Sequence, residues 1–101
     1  MNLYLQVKRK YFKEIAIGAK RFEYRLAKEY WRKRLSKCDS TSMIYILDGG
    51  TIPTRKEIES GCGDRVLVFP YRGFKEEILL HPEFGSNPVS VFSIPLIPMG
   101  E

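Results

Sequence analysis

The stretch Gly18-Ala19-Lys20-Arg21-Phe22-Glu23-Tyr24-Arg25-Leu26 decides how the rest of the chain is read. From Lys20 to Leu26 apolar and polar residues alternate. Phe22, Tyr24 and Leu26 share one side, and Arg21, Glu23 and Arg25 share the other. A period of two is the side-chain period of a strand. Its polar side holds a Glu between two Arg residues, and Glu23 and Arg25, at i and i+2, are close enough to touch. The residues on either side change period. Tyr11, Phe12, Ile15 and Ala16 fall at helical spacing and Gly18 follows as a stop, which predicts a helix from about Arg9 to Ile17. Ala27 to Leu35 reads as a second helix, with Tyr30, Trp31 and Leu35 as its apolar stripe and Lys28, Arg32, Lys33 and Arg34 as its basic one.

Further out, Leu3, Leu5 and Val7 alternate with Tyr4, Gln6 and Lys8 and predict a half-buried strand. Ser36 to Ser42 is a polar loop, and Met43 to Leu47 is a short apolar run that predicts a buried strand. Asp48-Gly49-Gly50 is a turn signal with Pro53 close behind. Thr54 to Ser60 has room for one or two helical turns closed by Gly61 and Gly63. Arg65 to Tyr71 is a strand in which Pro70 marks an edge or a bulge. Arg72-Gly73 is a turn, and Phe74 to His81 is the partner strand. Pro82 to Pro88 is a loop, and Val89 to Ile97 is a last strand ending near Pro95 or Pro98. Strands outnumber helices, the helices come early, and the later strands run as hairpins. The expectation is one α+β domain over residues 1–101, with a mostly antiparallel, curled sheet and two or three flanking helices. Closure into a barrel would remove the exposed edges of so small a sheet.

Composition limits the function classes. With 101 residues the chain holds one domain, and a hydrophobic share of 44% is enough for a core. The longest apolar runs, such as Met43 to Leu47, fall far short of the ~20 residues of a membrane span. The alternating start followed by basic residues does not read as a signal peptide, so a cytoplasmic protein without membrane contact is expected. Cys38 and Cys62 lie far apart, with no C-x-x-C pair and no His cluster, which argues against a disulfide scaffold or zinc module. Both are read as reduced thiols, with a bond between them left open. No Walker loop, dinucleotide fingerprint or metal-ligand cluster is present, so no cofactor and no metal are expected. Charge is uneven: residues 1–37 carry 12 Lys and Arg against 3 Glu, a balance of +9, and residues 38–101 carry −4. A basic third is the footprint of a polyanion partner or, more simply, a solvated lysine-rich face.

Taken with its flanks, Tyr11-Phe12-x-x-Ile15 before and Tyr30-Trp31-Arg32-Lys33-Arg34-Leu35 after, the run from Gly18 to Arg25 is a G-x-K-x-x-E-x-R signature. It resembles that of the ASCH family, whose fold is similar to the PUA domain. Arg65 to Phe69 with Phe74 to Leu80 would be that family's barrel hairpin. His81 to Gly85 leading into Val89 to Ile94 would be its closing strand. The resemblance implies a small PUA-like β-barrel, a cleft beside the signature, and RNA or a nucleotide-like ligand as the partner. Some ASCH members are amidohydrolases of modified cytidine that use a Lys, a Thr three residues on, and a distant Glu. Lys20 matches that Lys, but Glu23 stands at the Thr position, and a carboxylate does not replace a hydroxyl nucleophile without a change of mechanism.

The candidate ligand-binding residues are Lys20, Arg21, Glu23, Arg25, Tyr30, Arg32 and Tyr71. Lys20 is an exposed lysine or, functionally, a phosphate contact or a base. Strict alternation sets it opposite Glu23 and Arg25, and a loop conformation at Lys20 would bring the three together. Arg25 would bind phosphate or a base edge, with Glu23 orienting it. In a hydrolase, Lys20 and Glu23 would be the catalytic acid/base pair. Trp31 reads as a core ring, Tyr30 and Tyr71 as rings able to stack a base, and Arg72 and Lys75 as a basic rim. One of Glu76 and Glu77 could supply a distant carboxylate. The only histidine, His81, reads as a turn residue with a hydrogen-bond role.

Overall fold

Alternation at the start of the chain becomes strand β1, Leu3–Val7, with Leu3, Leu5 and Val7 buried and Tyr4 and Gln6 exposed. The structure, a computed structural model, describes residues 1–49, 56 and 65–100. Helix α1, Arg9–Ala16, buries Phe12 and Ile15, one turn apart on one face. Gly18, at φ +79°, ends it. In that left-handed conformation the chain folds back, so that the N–H groups of Ala19 and Lys20 both donate to the Glu14 carbonyl, at 2.9 and 3.1 Å. Strand β2, Phe22–Leu26, and helix α2, Glu29–Ser36, follow, and Leu35 anchors α2 in the core.

The remaining strands are β3, Met43–Asp48; β4, Val66–Pro70; β5, Lys75–Leu79; and β6, Val89–Pro95. A short 3-10 turn, Pro82–Phe84, precedes β6. The strands form two three-stranded sheets, β1-β3-β4 and β2-β6-β5. The β1–β3 pair is parallel and the other three pairs are antiparallel. Residues from both sheets and both helices meet in one core, including Leu5, Phe12, Leu35, Ile46, Phe92 and Ile94. Trp31 packs against it from α2, half-buried.

The α+β class matches the sequence expectation, but the barrel does not. Among the described residues no ladder joins the two sheets, so β1, β4, β2 and β5 are all edges. The expected hairpin between the Arg65–Tyr71 and Phe74–His81 strands is absent. Gly73 sits at φ +88° within a connector that carries the chain from one sheet to the other. There β5 pairs with β6, from Lys75 opposite Ser93 to Leu79 opposite Val89. Pro70 lies on an edge strand, where its missing N–H costs no ladder bond. The helical turns expected over Thr54 to Ser60, with the closing Gly61 and Gly63, lie outside the described residues.

The polar loop between α2 and β3 is held by Asp39. Its carboxylate accepts from the Thr41 N–H at 2.8 Å and from the Thr41 hydroxyl, while its own N–H donates to the buried Ser42 hydroxyl at 3.0 Å. These Thr41 bonds hold the Asp39 carboxyl below its ordinary value of 3.8. A lowered folded-state pKa contributes stability above the unfolded value that is lost as the pH falls through the folded one. The melting-temperature difference between wild type and Asp39→Ala should therefore be present at pH 7 and close as the pH drops below 3.8. A difference that persists unchanged in acid would place its origin elsewhere than the carboxylate.

Candidate functional site

The two sides of β2 are used in an order the alternation alone does not reveal. Phe22, on the apolar side, is 44% exposed, whereas Glu23, on the polar side, is 5% exposed. Glu23 lies opposite Ile94 in the β2–β6 ladder and turns inward with it. A buried carboxylate needs compensation. Glu23 Oε1 accepts the N–H of Tyr24 at 2.9 Å. Two cations flank the group: Lys20 Nζ is 3.8 Å from Oε1, and Arg25 Nη1 is 3.9 Å from Oε2. These are ion pairs longer than hydrogen bonds, and Oε2 remains buried without a hydrogen-bond partner.

Each cation is fixed by something else. Lys20, carried round by the Gly18 turn, sits 4.7 Å from the centre of the Tyr24 ring and 5.3 Å from that of Tyr11. Arg25 donates from Nη2 to the Gln6 carbonyl at 2.7 Å, and its guanidinium lies 5.2 Å from the Trp31 ring. Burial pulls the Arg25 pKa below its ordinary value, and the charges of Glu23 and Glu83 act in the opposite direction. An arginine stays charged under such a pull. Burial, then Glu77 and Glu23, push the Tyr24 hydroxyl up, so it stays a neutral donor at neutral pH.

These groups line a cavity of about 150 Å³, with Tyr11, His81, Glu83 and Lys8 completing the wall. That is close to the volume of a cavity that holds a single benzene ring. His81 stands 6.1 Å from Tyr11 and 5.9 Å from Tyr24, ring centre to ring centre. Its Nδ1 accepts the Glu83 N–H at 3.1 Å, which leaves the proton of the neutral ring on Nε2. Glu83 is bound in turn by Lys8, at 3.0 Å. The cavity opens into a wider groove of about 670 Å³ that adds Gly18, Arg21 and Phe22 to Tyr11, Lys20, Tyr24 and His81.

Of the residues singled out from sequence, Lys20, Glu23 and Arg25 come together, because Lys20 lies before β2, where the chain folds back after the Gly18 turn. Arg21 lines the outer groove only. Tyr30 lines a separate groove that shares Arg25 with the cavity. Arg32 and Tyr71 do not line the cavity. Arg32 bonds Glu76 at 3.0 Å and lies over the Phe92 ring, while Tyr71 packs on the core and donates to the Leu35 carbonyl at 3.3 Å. Neither Glu76 nor Glu77 lines the cavity: Glu76 is held by Arg32, and Glu77 accepts from the Ser93 hydroxyl at 2.7 Å. The carboxylate from the later part of the chain that lines the cavity is Glu83. Arg72 and Lys75 line a different depression beside Phe22 and Phe74. Lys8, Tyr11 and Glu83 were missed as site residues: the periods that place Lys8 and Tyr11 give them no ligand role, and Glu83 lies in a stretch that reads as a loop. The capping of the Pro82–Phe84 turn by His81 was the one available hint.

Among the described residues no group of three or more His, Cys, Asp or Glu is placed to hold a metal, and no helix is long and apolar enough to cross a membrane. No family model, curated protein or solved structure matches the chain.

Proposed function

We propose that the protein binds single-stranded RNA or a nucleotide-like ligand, with a base in the Lys20–Glu23–Arg25 cavity and phosphate at the basic groove beside it. The observation that carries this reading is the orphaned Glu23 Oε2, buried between two cations. A buried acceptor left without a partner costs about 1–3 kcal/mol, so a ligand that brings an N–H donor to it is favoured. Lys20 and Arg25 beside it donate to acceptors. A nucleobase edge carries donors and acceptors side by side, and carboxylates and arginines read such edges. A phosphate alone would set an anion against Glu23. The outer groove, with Arg21 and Lys20, suits the phosphate better. The likeness of the Gly18–Arg25 run to the ASCH signature supports the same reading.

The test is fluorescence anisotropy of a labelled single-stranded RNA at several salt concentrations, for wild type and Lys20→Ala. Binding should weaken with salt at a log–log slope of about −0.7 per phosphate contacted. Lys20→Ala should weaken binding to every sequence and reduce the slope by roughly one contact. Absence of binding at low salt, or an unchanged Lys20→Ala curve, would refute the reading. Hydrolysis of the same ligand is a second reading, favoured by the 3.8 Å separation of Lys20 and Glu23 as a proton donor and acceptor. It requires turnover of the bound RNA and a loss of rate, at retained affinity, in Glu23→Gln.

A further inference from the structure

Arg25 also forms part of a second groove. This one, of about 480 Å³, is lined by Tyr4, Gln6, Arg25, Tyr30, Trp31 and Leu47. Its aromatic rings come from two elements. Tyr4 is on the outward side of β1, opposite Tyr45 in the β1–β3 ladder, and the two rings stack with centres 5.0 Å apart at 13°. Tyr30 and Trp31 meet edge to face on α2, with centres 5.0 Å apart. Core rings are normally covered, yet Tyr4 is 49% and Tyr30 57% exposed.

Positive charge accompanies these rings. Arg25 lies 5.2 Å from the Trp31 ring, and Arg34 lies 4.5 Å from the Tyr30 ring. Helix α2 carries Arg32, Lys33 and Arg34 against Glu29, within the part of the chain whose balance is +9. Exposed aromatic faces set among cations are what single-stranded nucleic acid uses, the bases stacking while the backbone is neutralised. An uncharged apolar partner would leave these cations uncompensated, and a basic one would be repelled.

Resting on the nucleotide reading of the cavity, we propose that the Tyr4–Tyr30 groove is a second subsite, which takes the neighbouring nucleotide of the same strand. Arg25 is the shared wall between the two positions. The ligand is therefore a polymer of at least two nucleotides, not a free nucleoside. Tyr4 and Tyr30 supply stacking area, while Glu23 holds the first base.

The experiment compares a labelled single-stranded octaribonucleotide of mixed sequence with the four nucleoside 5′-monophosphates, on wild type, Tyr4→Ala, Tyr30→Ala and Tyr30→Phe. Circular dichroism melts check that each variant folds. Wild type should bind the octamer more tightly than any monophosphate. Each alanine variant should weaken octamer binding about 5- to 150-fold, the range for loss of one stacked base, and leave monophosphate binding unchanged. Tyr30→Phe should restore octamer binding. If folded alanine variants bind the octamer as wild type does while monophosphate binding is intact, the second subsite is refuted and the cavity reading stands. Equal loss of octamer and monophosphate binding also refutes a separate subsite. If wild type binds neither probe, both readings fail.

Discussion

Arg25→Ala is expected to lower stability by about 3 kcal/mol and to abolish ligand binding. The cause is what Arg25 leaves behind. Glu23 is 5% exposed, and its Oε2 already lacks a hydrogen-bond partner. Without the guanidinium at 3.9 Å, the carboxylate keeps only Lys20 and the Tyr24 N–H. The Gln6 carbonyl loses its 2.7 Å donor, and Trp31 loses its covering cation. Thermal melting should register a fall of roughly 12–24 °C for a domain of this size. A double-mutant cycle separates charge from packing. In a Glu23→Gln background the buried charge is gone, so Arg25→Ala should cost less than half as much. Equal costs in both backgrounds would assign the loss to the Gln6 and Trp31 contacts instead.

The second large effect belongs to Phe92→Ala. Phe92 is fully buried in β6, the central strand of its sheet, opposite Arg25 on one side and Glu76 on the other. Phe74 meets its ring edge to face at 5.2 Å, and Arg32 lies over it at 5.0 Å. Removing such a ring costs about 3–5 kcal/mol, through lost transfer energy and the cavity that remains. Small domains have only about 5–15 kcal/mol in total, so the variant should be partly unfolded at 37 °C. Urea unfolding would show a much lower midpoint, with a comparable slope if the transition stays two-state. Ile78→Ser, on the neighbouring edge strand, is the contrast: Ile78 is 76% exposed, and the change should stay within about 0.5 kcal/mol. A Phe92→Ala midpoint close to wild type would mean that the β2–β6 ladder, and with it Glu23, is positioned by something other than this ring.

Local elements were legible because they rest on local sterics. The period of two in Leu3, Leu5 and Val7 and the helical spacing of Phe12 and Ile15 reappear as the buried faces of β1 and α1. The Gly18 stop was legible for the same reason: a left-handed residue is tolerated at a Gly and strained elsewhere. Pairing was not legible. A short turn between two strand-like runs reads as a hairpin, yet β5 leaves β4 for β6. Alternating sequence specifies a pleat and not the neighbour that will complete its hydrogen bonds.

The candidate site shows the same division. That Glu23 and Arg25 share a face of one strand, and that the cations gather in the first third of the chain, follows from residue order alone. Long-range packing sets the rest: this polar face turns inward, Lys20 folds back to join it, and His81 and Glu83 close the cavity from the later part of the chain. Side-chain period follows from backbone sterics over a few residues. Which face is buried follows from the sum of contacts over the whole domain, and here Ile94 and Phe92, inside the core, turn that side of the sheet inward and carry Glu23 with them.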